Sequence, residues 1–278
     1  MTQASKYWAD WSTRDFAALQ ACGEIAQLIA VLPVAATEQH GPHLPLSVDT
    51  CIVDAVVRAC VAQLDASAPV LFLPSLPIGF SPEHARFAGT LSLKAQTLMQ
   101  LWTDVAEGVA ASGVRKLVLL NSHGGQVGAM DMVARDLRAR LKMLVYSVSW
   151  FNLPLLDAQG QDVAQRFSPH EQRFGVHAGD METSMMLAIA PERVNMALAQ
   201  NFASTSAQRA SQYPILGNGK SAKLAWQTQD YNRSGAVGDA ANATAEKGAA
   251  LVDAAGHALA RMLQELQSLP LDTLVDDL

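Results

Sequence analysis

The chain has 278 residues, half of them hydrophobic, which is enough for a sizeable core and excludes global disorder. Its net charge of −6, without a Lys/Arg cluster, argues against a nucleic-acid partner, and no run of about 18 apolar residues calls for a transmembrane helix. The start, residues 1–8, lacks the basic-then-apolar pattern of a secretion signal, and Cys22, Cys51 and Cys60 form an odd set with no CxxC pair, so a cytoplasmic protein without disulfides or a Cys-rich zinc site is expected.

The first apolar run, residues 27–34, reads as a buried strand. It opens into Glu38-Gln39-His40-Gly41-Pro42-His43-Leu44-Pro45, with Asp49 eleven residues after Glu38. In an extended segment residues i and i+2 point the same way, so Glu38 and His40 can reach one ion. Mixed oxygen and nitrogen donors at the end of a strand suit a divalent metal. The competing reading makes Asp49 an N-cap of the next helix and His43 a packed loop residue. That helix is predicted over residues 50–64, from apolar positions 52, 53, 56, 57, 60, 61 and 64. Cys51 and Cys60 fall in it and read as core thiols.

A second strand, residues 70–73, leads through a Pro-punctuated stretch to Gly79-Phe80-Ser81-Pro82-Glu83-His84. Ser81 and His84 are candidates for substrate contact, against a plain surface loop. A helix over 92–111 precedes the third strand, 116–121, which runs into Asn121-Ser122-His123-Gly124-Gly125-Gln126 and a helix over 126–141. His123 therefore sits at the carboxyl end of a parallel strand, where open α/β sheets bind ligands. The glycines let backbone amides approach a ligand closely, and Gly124 is taken as a substrate contact. The bland alternative is a tight turn that happens to hold a histidine.

The fourth strand is predicted over 143–149. Residues 154–175 and 212–242 read as long loops, the latter from the turn signals Tyr213-Pro214-Ile215-Leu216-Gly217-Asn218-Gly219 and Asn232-Arg233-Ser234-Gly235-Ala236-Val237-Gly238. Between them comes His177-Ala178-Gly179-Asp180-Met181-Glu182-Thr183-Ser184, at the start of a helix over 181–190. Helix capping would account for Asp180, less well for Glu182, and not for His177. A last Ala-rich helix covers 241–267. Strands alternating with helices imply a mostly parallel sheet covered on both faces, and no composition break divides residues 1–278 into two domains. Five of the seven histidines, His40, His43, His84, His123 and His177, fall at strand-to-helix turns, which points to a catalytic metal site. A serine-nucleophile enzyme is disfavoured: no GxSxG occurs, and Ser122 lacks an orienting acid.

On these motifs the chain resembles the creatininase (creatinine amidohydrolase) family. The resemblance runs from Leu32 to Asp49, through Ser81-Pro82-Glu83-His84 with Phe87-Ala88-Gly89-Thr90, through Asn121–Gln126, to His177–Ser184. It implies a three-layer α/β/α fold with two divalent ions, zinc with manganese, iron or another divalent ion. Glu38, Asp49 and His123 would hold one ion. His40 and Asp49 would hold the other, with Asp49 bridging. Creatininase proper carries a Glu two residues after the second-motif histidine, where this chain has Gly125, so the resemblance assigns the remaining carboxylate to Glu182, with Asp180 as the alternative. His177 would contact the substrate and move a proton. The implied reaction is hydrolysis of a non-peptide or cyclic amide C–N bond in a small molecule by a metal-activated water. A deformylase of a pyrimidine-type intermediate, a peptide-trimming enzyme and a non-enzymatic metal-binding scaffold are the alternatives. Assembly as a homo-oligomer, a hexamer, is also implied, and Trp150 or Trp226 could wall a planar substrate.

Overall fold

The computed structural model describes residues 5–276; Met1–Ala4 of the amino-terminal stretch, together with Asp277 and Leu278, lie outside them. Helix α1 (Thr13–Cys22) precedes β1 (Ile29–Val34), α2 (Val48–Val61), β2 (Val70–Phe72), α3 (Ala95–Ala111), β3 (Lys116–Asn121), α4 (Val127–Leu141) and β4 (Leu144–Ser149). Then come α5 (Pro169–Phe174), α6 (Asp180–Ile189), β5 (Asn201–Phe202), α7 (Thr205–Gln212), α8 (Thr228–Tyr231), β6 (Gly238–Asp239) and α9 (Ala245–Ser268). Four strands form a wholly parallel sheet in the order β2-β1-β3-β4, and β5 and β6 pair separately as a short antiparallel ribbon.

The strand side chains alternate between two cores. Ile29 and Val31 pack with Ile52, Val53, Val56, Leu251 and Leu259 of α2 and α9. Ala30, Leu32 and Val34 pack with Leu98, Trp102, Met130 and Leu137 of α3 and α4. This is the expected three-layer α/β/α arrangement. Each fully buried large apolar side chain adds about 1.5–3 kcal/mol, so both faces must be covered for the sheet to persist. Helix α9 reaches its neighbours closely because Gly248 and Gly256 have no side chain: a Cβ at Gly248 would overlap the Ser184 carbonyl of α6, and one at Gly256 would overlap Ala59 of α2. Among the described residues no helix is long and apolar enough to cross a membrane.

Four departures from the sequence reading have physical causes. Helix α2 begins at Val48 with Ser47 as N-cap, so Asp49 lies inside the first turn and is not the cap. Strand β4 is not buried on both faces, because it is an edge of the sheet; Tyr146 and Ser147 are exposed. The two long loops contain structure of their own: α5 within 154–175, and α8 and β6 within 212–242. Helix α1 has no counterpart in the sequence reading, and none of its residues is buried, so it lacks the clear apolar stripe on which that reading relies.

The fold creates a crevice at one place. Helix α2 leaves β1 over one face of the sheet, and α4 leaves β3 over the other, while β1 and β3 are neighbours in register from Ile29–Lys116 to Val34–Asn121. Their carboxyl ends therefore open at a topological switch point, where ligands of open α/β sheets bind.

Candidate metal centre

The polar residues singled out by sequence converge on that crevice. Glu38 and His40 follow β1, Asp49 projects from the first turn of α2, and His123 follows β3. Asn121 clamps the last of these, its Oδ1 accepting the His123 backbone N–H (3.0 Å) and its Nδ2 donating to the His123 carbonyl (2.6 Å). His84 arrives from the turn after β2. His177 is held by backbone pairing with Val237, beside β6 (His177 N to Val237 O 3.2 Å; Val237 N to His177 O 2.7 Å). Glu182 comes from the first turn of α6. Ala178, between the last two, has φ +53°, a left-handed conformation unfavourable for a residue with a Cβ, and its N–H donates a short hydrogen bond to Glu182 Oε2.

Glu38, His40, Asp49, His84 and His123 are each no more than 4% exposed. Glu38 Oε1 lies 3.2 Å from His84 Nε2, 3.2 Å from His123 Nδ1 and 3.8 Å from His177 Nδ1. His40 Nε2 lies 3.5 Å from Asp49 Oδ1 and 4.0 Å from Glu182 Oε1, and His123 Nδ1 lies 3.6 Å from Asp49 Oδ2. The distances to Asp49 and Glu182 are too long for hydrogen bonds. Glu38 Oε2, His40 Nε2 and Asp49 Oδ2 are buried without a hydrogen-bond partner. Orphaned groups of this kind cost about 1–3 kcal/mol each or more when charged, and they would be satisfied by cations. The donor set, three carboxylates with imidazoles, suits divalent ions. The triads His40–Asp49–Glu182 and Glu38–His40–His177, and a third of Glu38, Glu83 and His123, each bring ligand atoms within 4.8 Å of one another.

Hydrogen bonds fix which imidazole nitrogen faces the crevice. His40 Nδ1 donates to the Glu38 carbonyl (3.0 Å), leaving Nε2 toward Asp49 and Glu182. His123 Nε2 donates to the Phe80 carbonyl (3.1 Å), leaving Nδ1 toward Glu38 and Asp49. His177 Nε2 donates to the Gln39 carbonyl (2.6 Å), leaving Nδ1 toward Glu38. His84 is the reverse: Gln39 Nε2 donates to its Nδ1 (2.7 Å), so its Nε2–H points at Glu38. Orienting a ligating imidazole through its far nitrogen is a common feature of metal sites.

The charges are strongly coupled. For Glu38, burial opposes ionisation, but His123, His84 and His177 together hold its carboxyl well below the usual range. Burial and then Glu38 push Asp49 up to about 6. For His40, burial opposes protonation, yet Asp49, Glu182 and Glu38 carry it up to about 9. His123 is likewise raised against burial, chiefly by Glu38. Burial pushes His84 down to about 4 and His177 well below its ordinary value, with His40 adding to both.

Other candidates fall elsewhere. Asp180 is engaged by Lys247 Nζ (2.6 Å) and Ser184 Oγ (2.9 Å), away from His40. His43 bonds Thr183 Oγ1 through Nε2 (2.9 Å) and stacks on Phe202, a packing role. Ser81 is fully buried behind His123, its Oγ 3.4 Å from Nε2, and does not line the adjoining cavity. That cavity, about 420 Å³, is bordered by Glu38, His84, His123, Gly124, His177 and Trp226. Trp226 stacks on Tyr231 (4.7 Å between centroids), whereas Trp150 is buried and donates to Ser122 Oγ, so only Trp226 walls the cavity. A larger groove of about 860 Å³ along α2 and α9 holds none of the clustered ligand sets. The sequence reading gave no role to Gln39 or Glu83. Their signal was membership of the resemblance motifs, each directly beside a chosen histidine.

Comparison with known proteins agrees with this geometry. Residues 10–263 match the family model for Creatininase, described as creatinine amidohydrolase. The mycofactocin precursor peptide peptidase of Mycobacterium tuberculosis is 33% identical over 246 residues, covering 84% of this chain and 86% of the relative. The creatinine amidohydrolase of Pseudomonas putida is 30% identical over 208 residues, covering 69% of this chain and 75% of the relative. A solved structure described as "Creatininase Mn" superposes with a TM-score of 0.73 at 25% identity, covering 94% of this chain and 98% of that one.

Proposed function

From a chain that belongs to the creatininase family, we propose a divalent-metal-dependent amidohydrolase that cleaves a C–N bond of a non-peptide or cyclic amide. The observation that carries this is a cluster of three orphaned buried ligand atoms, on Glu38, His40 and Asp49, next to a cavity that Glu38 lines. Glu38, Asp49 and His123 would hold one cation, and His40, Asp49 and Glu182 the other; zinc and manganese are the first ions to test. Divalent cations there supply Lewis acidity and lower the pKa of water from 15.7 to roughly 7.

The protein's own groups do the rest. Glu38 stays ionised, because three imidazoles face it. His177, neutral and fixed through Nε2, presents Nδ1 to the crevice, where it accepts a proton and returns it to the leaving nitrogen. Gly124 and His84 border the substrate space, with Trp226 offering a flat apolar wall. His84 donates from Nε2 toward Glu38, so its contribution to binding substrate is to hold that carboxylate in place.

A second reading, trimming of a peptide at the same centre, is favoured by the 33% identity to a precursor peptide peptidase. A panel of lactams, formamides and short peptides, assayed with each metal restored to chelator-stripped protein, separates the two. Turnover of lactams alone supports the first reading, and turnover of peptides alone replaces it with the second. Retained metal with no turnover across the panel would favour a scaffold. Homo-oligomerisation, six subunits by family resemblance, and a cytoplasmic location belong to the same proposal.

A further inference from the structure

Glu83 sits on the short turn Pro82–His84 after β2, 8% exposed, with its backbone carbonyl tied to Thr228 Oγ1 (2.9 Å). Its Oε1 lies 3.2 Å from His123 Nε2, the nitrogen on the far side of the ring from Glu38 and Asp49. The Phe80 carbonyl and Ser81 Oγ approach the same nitrogen at 3.1 and 3.4 Å. The segment 80–83 thus forms an acceptor cradle around Nε2, and Glu83 is its one ionisable member.

Room for this carboxylate comes from Gly125. A Cβ there would overlap Glu83 Oε1 and crowd His123 Nε2. In this chain a carboxylate from the β2 turn fills space that a side chain on the His123 turn would otherwise claim.

We propose that Glu83 is a positioning residue of the metal centre: beside the Phe80 carbonyl that accepts the His123 Nε2–H, its carboxylate at 3.2 Å keeps that proton on Nε2 and thereby turns the Nδ1 lone pair to the ion shared with Glu38 and Asp49. A protonated Nε2 cannot also ligate, and the two ring nitrogens point in diverging directions, so Glu83, on the Nε2 side, works through His123 and is not itself a ligand. The inference rests on His123 being a ligand in the proposed function.

The test uses the full chain loaded with zinc. In the wild-type protein, ¹⁵N-edited NMR should show a His123 imidazole with its proton on Nε2, shifted downfield and protected from exchange; a proton on Nδ1 would overturn the proposal. In Glu83→Gln, zinc affinity measured against a chromophoric chelator should fall about tenfold, the low end for such partners because the Phe80 carbonyl remains. Two equivalents should still bind at saturation, and the His123 Nε2–H signal should move. Affinity equal to wild type overturns the role of Glu83 alone. Loss of a whole equivalent at saturation overturns it too, since Glu83 would then be a ligand. A wild-type protein that takes up no zinc removes both this proposal and the reading beneath it.

Discussion

Glu182→Gln isolates the carboxylate that the sequence could not choose between Glu182 and Asp180. Glu182 Oε1 lies 4.0 Å from His40 Nε2, so an ion held by both would lie within that span. One charge at 4 Å with an effective dielectric of 20 is worth about 4 kcal/mol, and the amide oxygen that Gln retains, with water entry, offsets part of it. At about 1.36 kcal/mol per decade, affinity for the ion at His40 should fall by up to about thousandfold. The Gln side chain can still accept the Ala178 N–H, so the fold is kept. The companion change, Asp180→Asn, removes the partner of Lys247 and should cost about 1–3 kcal/mol of stability while leaving metal affinity at the wild-type value. Competition with a chromophoric chelator, elemental analysis at saturation and urea unfolding of stripped protein give the three readouts. The assignment fails if Glu182→Gln binds two ions as wild type does, or if Asp180→Asn is the variant that loses one.

Glu38→Ala and His123→Ala should each abolish metal retention and turnover together; full turnover by either metal-free variant would sink metal catalysis. Metal-free protein should lose stability as pH rises from 6.5 to about 9, because folded His40 keeps a proton that the unfolded chain releases over that window. The loss from His40 is roughly 3 kcal/mol, with His123 acting in the same direction, and urea midpoints that rise with pH would contradict it. Gly248→Ala should gain about 1 kcal/mol of helix propensity but lose about 1–3 kcal/mol to overlap with the Ser184 carbonyl, for a net loss measurable by thermal unfolding; a stabilised variant would show that α6 and α9 separate easily.

The four parallel strands and their crossover helices were legible because buried strands read as apolar runs and covering helices as apolar stripes, both local patterns. β3 matched over 116–121, and the other strands to within one or two residues. Residues outside those patterns were missed. Helix α1 has no fully buried residue, only Phe16 and Leu19 leaning on the second core, and β6 has only two residues, defined by pairing with β5 far away in the chain. The exposure of β4 was invisible for the same reason, since being an edge strand depends on what fails to pair with it.

The site divides in the same way. Sequence alone determined that Glu38, His40, Asp49 and His123 follow strands or open helices on the ligand-binding end of a parallel sheet, because spacing and strand direction are properties of the chain. Which groups meet was decided only by the tertiary structure. Asp180 and Glu182 stand two residues apart on one helix turn, yet one faces Lys247 and the other His40. Glu83 gained its place only when the β2 turn folded over Gly125. Distances between segments arise from how α6, α9 and the sheet pack, and that packing is a sum over contacts that no single stretch of sequence contains.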